Sequence, residues 1–262
     1  MDLGLKGKVA VITGGSEGIG RATARCLGRE GVSVVVCARR GDVLRQAAQE
    51  VAEDTGAEVM PVQADVTRAE DVERVIQTAV DHFGRLDILV NNAGTSAAMP
   101  FGDVTDEAWH ADLDLKLFGA IRATRAAVPH LRRSGGGSIV NLLNVGAKQP
   151  GARSVPTSVS RAAGMALMKA LSKELAADNI RVNGINIGLI KSGQNQRRWE
   201  NLGRPGTLEE YYAEAARRMA IPLGRVGEAD EVGDLIAFLC SARGAYISGV
   251  SINMDGGASA VV

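Results

Sequence analysis

Short apolar runs alternate with longer amphipathic stretches along the whole chain. The runs have the length and β-branched character of buried strands and cover 9–12, 32–38, 58–62, 86–90, 138–143, 180–187 and 250–254. Between them, apolar residues recur at helical spacing over 21–30, 43–54, 69–83, 106–131, 157–176 and 228–240. Asp42 is expected to cap the helix over 43–54. The alternation predicts an α/β doubly wound fold, with six or seven parallel strands and helices on both faces.

The composition fits one domain. The 262 residues are 45% hydrophobic, which suffices for one large core but is short for two, so we expect a single domain over 1–262. Lys+Arg and Asp+Glu each total 30, and this balance argues against a nucleic-acid partner. No apolar run is long enough to span a membrane, and the three cysteines lack C-x-x-C spacing. We therefore expect a cytoplasmic protein with no membrane partner.

The stretch 9–20, V-A-V-I-T-G-G-S-E-G-I-G, joins the first predicted strand to the first predicted helix. Gly14, Gly18 and Gly20 lie at this junction, where glycine permits backbone angles and close approaches that a Cβ would block. The helix that follows directs free N–H groups and its positive dipole end at the turn. The pattern predicts a diphosphate site of the kind that binds a dinucleotide.

The end of the second strand bears on the choice of cofactor. An acidic residue at this point would bind the ribose 2′-hydroxyl of NAD, whereas an arginine accommodates the 2′-phosphate of NADP. The sequence here is Cys37-Ala38-Arg39-Arg40, without an acid. Arg39 and Arg40 favour NADP(H), with NAD(H) as the second possibility. In the alternative interpretation, the two arginines only solubilise a loop.

Four motifs occur in order along nearly the whole chain. They are Thr13–Gly20, Asp65-Val66, Asn91-Asn92-Ala93-Gly94 and Tyr246-Ile247-Ser248-Gly249 with Asp255-Gly256-Gly257. With these motifs the chain resembles the short-chain dehydrogenases/reductases. The resemblance implies a Rossmann fold, oxidoreductase activity, a homotetramer or homodimer paired through the helices 106–131 and 157–176, and a variable substrate lid over 193–224.

The resemblance also assigns a cofactor site. Its residues form the phosphate turn, the adenine pocket, the cofactor floor and the nicotinamide region: Gly14, Ser16, Glu17, Gly18, Ile19, Gly20, Arg39, Arg40, Asp65, Val66, Asn92, Ala93, Gly94, Arg161, Gly188, Ile190 and Ser192.

The catalytic positions depart from the family pattern. Its members usually carry Tyr-x-x-x-Lys at the start of the second long helix, a Ser thirteen positions earlier and an Asn on the first long helix. An ungapped alignment predicts Thr157 and Arg161 at the Tyr and Lys positions, Asn144 at the Ser position and Lys116 at the Asn position. A threonine hydroxyl is a poor general acid near neutral pH, and an arginine does not relay protons. The resemblance thus implies substitution at all four positions.

Several residues are candidates to take the place of the missing acid. Lys116 is a candidate proton donor or carbonyl-binding amine, with Arg161 disfavouring its charged form and Asn144 binding the carbonyl oxygen. Alternatively, the cations hold an anionic group of the substrate, and Lys148 lies at the rim of the same pocket. Tyr211 or Tyr212 of the lid is a further candidate acid. In the plainest interpretation Lys116 is a solvated charge without a chemical role.

We therefore expect an oxidoreductase that uses a nicotinamide cofactor, NADP(H) in preference, on a small carbonyl or alcohol substrate. The alternatives are a non-redox lyase, isomerase or cyclase on the same scaffold, and a catalytically silent nucleotide-binding protein. The histidines have no metal-ligand spacing, so no metal site is expected. The serine-rich stretch 154–160 lacks a histidine base, which argues against a hydrolase.

Overall fold

The computed structural model describes residues 2–262. Its centre is one seven-stranded parallel sheet with the strand order β3-β2-β1-β4-β5-β6-β7. The strands are β1 (Val9–Thr13), β2 (Ser33–Ala38), β3 (Val59–Gln63), β4 (Ile88–Asn91), β5 (Gly137–Asn144), β6 (Ile180–Ile187) and β7 (Ser251–Met254). The predicted doubly wound α/β fold is confirmed.

The helices cover both faces of the sheet. They are α1 (Gly18–Arg29), α2 (Gly41–Thr55), α3 (Ala69–Phe83), α4 (Asp106–Leu113), α5 (Gly119–Arg133), α6 (Thr157–Glu174), α7 (Gly193–Asn201), α8 (Leu208–Arg218) and α9 (Ala229–Cys240). Apolar residues of α1, α2 and α9 form one core with the sheet, and those of α3, α5 and α6 form a second core on the opposite face.

Side chains of one strand alternate between the two cores. Val9 and Val11 of β1 belong to the α3–α5–α6 core, whereas Ala10 and Ile12 belong to the α1–α2–α9 core. Because successive strand residues point to opposite faces, a strand covered on both sides is apolar throughout. This is why the strands are visible in the sequence as continuous apolar runs.

Two sequence expectations are wrong in detail. The helix expected over 106–131 consists of α4 and α5 separated by a π-helical turn at Asp114–Phe118. Asp42 does not cap α2, because that helix begins at Gly41, and Arg40, with extended backbone angles, is the N-cap residue. Asp42 lies within the first turn, where a carboxylate still interacts favourably with the helix dipole.

The strand order indicates where on the sheet a ligand is expected to bind. β1 pairs with β2 on one side and with β4 on the other, so the chain changes direction across the sheet at β1. In parallel sheets, ligands bind beyond the carboxyl ends of the strands at such a point. The helices α7 and α8 follow β6 and form the segment expected as a lid. No helix within residues 2–262 combines the length and apolar character needed to cross a bilayer.

Candidate active site

A cleft of about 870 Å³ opens at the carboxyl edge of the sheet. The turn after β1, the ends of β2, β4 and β5, the start of α6 and the segment after β6 all contribute to its walls. Residues of α7, including Arg197 and Arg198, close one side. Clefts of this volume accept a cofactor-sized ligand.

The turn between β1 and α1 fits a diphosphate. Gly14 and Gly18 have φ angles of +72° and +51°, in the left-handed region that favours glycine. A Cβ on Gly20 would lie 2.2 Å from the carbonyl oxygen of Gly14. The first turn of α1 has no acidic residue and no side-chain cap, so its N–H groups remain available to an anion.

Thr13 and Asn92 fix this turn relative to β4. The Asn92 Nδ2 group donates to the carbonyl oxygens of Thr13 and Gly14, both at 2.9 Å. The Thr13 hydroxyl accepts from the backbone N–H groups of Asn92 and Ala93, both at 3.1 Å. Sequence reasoning assigned Asn92 to the cofactor floor but did not assign Thr13 a role at the site. Its position at the end of β1, before the glycines, is the signal that could have identified it.

Three charged groups meet near the end of β2. Arg40 binds Glu17 at 2.7 Å, and Arg197 of α7 binds the other oxygen of the same carboxylate at 2.9 Å. Burial opposes ionisation, but hydrogen bonds from Arg40 and Arg197 hold the pKa of Glu17 below its ordinary value. Arg39 also lines the cleft, and no carboxylate within residues 2–262 forms an ion pair with it.

Thr157 stands at the opposite end of the cleft, at the start of α6. Its Oγ1 atom accepts a hydrogen bond from Lys116 Nζ at 2.9 Å and another from the Ala97 N–H at 3.0 Å. A hydroxyl has two acceptor lone pairs and one hydrogen. Both lone pairs of Thr157 are thus engaged, and its hydrogen is left to donate into the cleft that the residue lines.

Lys116 lies behind Thr157, on the π turn. Its side chain has no exposed surface and is not part of the cleft wall. The ammonium group forms a buried ion pair with Asp112 of α4. Burial, opposed by Asp112 and reinforced by the charge of Arg161, lowers the pKa of Lys116 from 10.5 to about 8.

Arg161 and Asn144 line the same end of the cleft as Thr157. The Arg161 Nη1 group donates to the carbonyl oxygen of Leu142 at 2.6 Å, and no carboxylate within the described chain forms an ion pair with the guanidinium. Burial lowers the pKa of Arg161 to about 10, so it stays cationic at neutral pH. The Oδ1 atom of Asn144 is buried at the cleft without a hydrogen-bond partner. Both side chains therefore have free polar groups to offer a ligand.

The other sequence candidates fall into two groups. Every residue expected to bind the cofactor lines the cleft except Gly20, which packs beneath the turn against Gly14 and Asn92. Lys148 is not at the rim, because its Nζ donates to the Ser251 carbonyl oxygen at 2.7 Å instead.

The lid tyrosines also lie away from the cleft. The hydroxyl of Tyr212 is directed to the Ser192 carbonyl oxygen at 3.5 Å, and its ring packs with Tyr211 among lid residues. Within residues 2–262, no tyrosine belongs to the cleft wall.

The fold and the cleft define an α/β protein of the class whose members bind dinucleotides at the carboxyl edge of a parallel sheet. A family model described as enoyl-(acyl carrier protein) reductase matches residues 14–259. Dehydrogenase/reductase SDR family member 4 of Oryctolagus cuniculus is 36% identical over 257 residues, which cover 97% of this chain and 94% of that protein. The chain belongs to the short-chain dehydrogenase/reductase family of NAD(P)-dependent oxidoreductases.

Two solved structures are closely similar. L-Sorbose reductase from Gluconobacter frateurii, complexed with NADPH and L-sorbose, has a TM-score of 0.95 and 37% identity, covering 100% of both chains. An NADPH-bound short chain oxidoreductase from Pseudomonas aeruginosa PAO1, described as containing an atypical catalytic center, has a TM-score of 0.92 and 39% identity. That match covers 97% of this chain and 98% of the other.

Proposed function

We propose that the protein is an NADPH-dependent reductase of small carbonyl compounds, in which Thr157 donates a proton to the substrate oxygen and Lys116 resupplies it. The observation that carries this proposal is the hydrogen-bonding state of Thr157. With both lone pairs engaged by Lys116 and Ala97, its hydroxyl can act towards the cleft only as a donor.

The proposed cofactor is NADPH, with NADH as the second candidate. The glycine turn and the N–H groups of α1 would bind the diphosphate. Arg39, which has no acidic partner in the described chain, would bind the 2′-phosphate together with Arg40. Arg161 would hold hydroxyl groups of the nicotinamide ribose. The two NADPH-bound relatives support this choice.

The bound nicotinamide would supply a hydride to the substrate carbonyl carbon. Asn144 lines the same end of the cleft and would donate from its Nδ2 group to the carbonyl oxygen beside Thr157. Its unpartnered Oδ1 atom would accept from a substrate hydroxyl. As negative charge develops on that oxygen, the Thr157 hydroxyl gives up its hydrogen and takes one from Lys116 in the same movement. Lys116 makes this feasible, because its ammonium is far more acidic than an alcohol.

The proposal includes substitution of all four usual catalytic positions, as the ungapped alignment predicts. It is supported by the composition of the cleft wall, to which no tyrosine within residues 2–262 contributes. The Pseudomonas aeruginosa relative, described as having an atypical catalytic center, also supports it. A small, hydroxyl-rich substrate is in keeping with the L-sorbose complex of the other relative.

The test is Thr157→Val, which keeps the shape of the side chain and removes the hydroxyl. We expect carbonyl reduction to fall by roughly 10²–10⁴-fold with NADPH affinity retained. NADPH oxidation would be followed with a panel of ketoses, including L-sorbose, and simple ketones. Ser158→Ala is the matched control, because Ser158 is the adjacent residue of α6 and binds Ser154 outside the cleft.

Full activity in Thr157→Val would refute the role of the hydroxyl. Transfer of deuteride from labelled NADPH to the product separates the reductase from a silent nucleotide-binding protein. A product formed without this transfer would favour the non-redox alternative.

A further inference from the structure

Asp112 is a buried carboxylate that does not reach the cleft. It lies on α4, one turn before Lys116, and its side chain is 2% exposed. One carboxylate oxygen, Oδ1, accepts from Lys116 Nζ. The other oxygen, Oδ2, accepts from the hydroxyl of Ser160 at 2.6 Å, and Ser160 is itself buried.

The two contacts connect different elements. Lys116 belongs to the π turn that follows α4, whereas Ser160 belongs to α6, one turn after Thr157. Asp112 therefore ties the π turn to the same helical turn that presents the Thr157 hydroxyl. The 2.9 Å contact between Lys116 Nζ and Thr157 Oγ1 lies between these anchored elements.

Burial of a carboxylate costs free energy unless the charge is paired and its oxygens accept hydrogen bonds. Asp112 meets both conditions inside the protein, beside the residue that the proposed function requires as a proton source. A packing role alone would be met by an apolar side chain of similar size. Asp112 favours the charged form of Lys116, which an apolar side chain could not do. Its burial therefore calls for a functional explanation.

We propose that Asp112 is a positioning residue, which holds Lys116 as an ammonium group against the Thr157 hydroxyl. The inference rests on the proposed function and extends it to a residue that contacts neither substrate nor cofactor. When bound, the reduced nicotinamide would supply the hydride that the carbonyl carbon takes up. The carbonyl oxygen takes the Thr157 proton, Thr157 takes a proton from Lys116, and Lys116 becomes a neutral amine. After the product leaves, Lys116 regains a proton from water in the cleft through the Thr157 hydroxyl.

The charges around Lys116 show why the acid is needed. Asp112 faces its ammonium group from α4, and Arg161 acts on it from α6. Thr157, on α6, and the backbone around Gly94 contribute no charge. Burial and Arg161 both favour the neutral amine, and Asp112 opposes them. Without the acid, Lys116 would lose its proton at a lower pH.

The experiment compares Asp112→Asn with Asp114→Asn. Asp114 is the matched control, because it lies two residues further along and binds Arg122 instead of Lys116. Lysine labelled with ¹³C at Cε reports the titration of Lys116 by NMR, assigned with Lys116→Arg. In Asp112→Asn we expect the Lys116 midpoint to fall by about one pH unit or more, with kcat for reduction at about pH 9 falling about tenfold. Asp114→Asn is expected to match the wild type in both.

A third variant separates the effect of the negative charge of residue 112 from the effect of its position. Asp112→Glu keeps the charge but displaces it, so we expect the Lys116 midpoint to be retained while kcat falls. An unchanged Lys116 midpoint in folded Asp112→Asn overturns the inference. The NMR titration needs no turnover, so it stands even if no ketone in the panel is reduced, an outcome that would count against the proposed function alone.

Ser160→Ala covers the case in which Asp112→Asn does not fold. This variant leaves the Asp112–Lys116 ion pair in place and removes the hydrogen bond that Ser160 of α6 donates to Asp112. We expect kcat to fall several-fold with the substrate KM unchanged, because Lys116 is less firmly held against Thr157. An unchanged kcat in folded Ser160→Ala overturns the inference.

Discussion

The ammonium group of Lys116 is separated from the cleft by a single hydroxyl, that of Thr157. This arrangement combines the two properties that a proton donor needs. In the proposed mechanism, Thr157 supplies contact with the reacting oxygen, and Lys116 supplies acidity close to the working pH. Neither residue alone has both properties, because the alcohol is too weak an acid and the amine is out of reach of the cleft.

If Lys116 is the proton source, as proposed, its titration sets the pH dependence of the reaction. Burial lowers its pKa to about 8, and reduction consumes the protonated form, so kcat/KM for reduction is expected to fall about tenfold per pH unit above that value. Below about pH 7 the rate should be constant. In the reverse direction Lys116 must accept a proton, so the rate of alcohol oxidation should rise as the pH increases through about 8.

Initial rates in both directions, measured with NADPH and NADP, check this expectation. Lys116→Met removes the titrating group, so its residual activity should show no inflection near the wild-type midpoint. An inflection that persists in Lys116→Met would assign the titration to another group.

At the level of elements, the turn between β1 and α1 depends on close backbone packing. In Gly20→Ala the added Cβ would overlap the Gly14 carbonyl oxygen and the Asn92 amide, so the turn must move. We expect the Kd for NADPH to rise by at least about tenfold, because displaced N–H groups lose charge-assisted hydrogen bonds to the diphosphate. Calorimetric titration measures this change.

Gly102→Ala is the control for this substitution, because a Cβ on Gly102 would meet no atom within 4 Å. It should bind NADPH as the wild type does. If Gly20→Ala also kept wild-type affinity, the turn would be more adaptable than its packing indicates.

Most elements of this fold can be predicted from the sequence, since both faces of the sheet are buried and every strand is an apolar run. The boundaries of α3 and β6 agree with the sequence pattern residue for residue. The break between α4 and α5 is not predictable in this way, because apolar spacing continues through the π turn at Asp114–Phe118. A π turn changes the hydrogen-bond ladder by one residue, which periodicity does not detect.

The candidate site, like the fold, can be predicted only in part from the sequence. Motif spacing predicts the residues that line the cofactor end, because that end is built from turns adjacent to strands. It does not predict that Thr157 screens Lys116 from the cleft, a contact between residues 41 positions apart. Nor does a polar residue at position 112 reveal a buried acid, since the amphipathic pattern identifies apolar positions only.

At the level of the whole molecule, cofactor binding should be visible as thermal stability. For a chain of 262 residues, NADPH at about 100 times its Kd is expected to raise Tm by about 5–10 °C. NADH at the same concentration should raise it less, because it lacks the phosphate that Arg39 would bind. In Arg39→Ala, the NADPH shift should fall to that of NADH.

Differential scanning calorimetry measures these shifts. The control is Arg45→Ala, because Arg45 is an exposed arginine of α2 that pairs with Asp42 and does not line the cleft. An equal loss of the NADPH and NADH shifts in Arg39→Ala would contradict a role in recognising the 2′-phosphate.

The burial of Lys116 also bears on the design of inhibitors. An aldehyde or another amine-directed electrophile in the cleft meets no surface of this side chain, so it has no nitrogen with which to condense. This argues against the carbonyl-binding amine as the role of Lys116. Reversible compounds that present an oxygen acceptor to the Thr157 hydroxyl suit the cleft better than covalent warheads aimed at lysine.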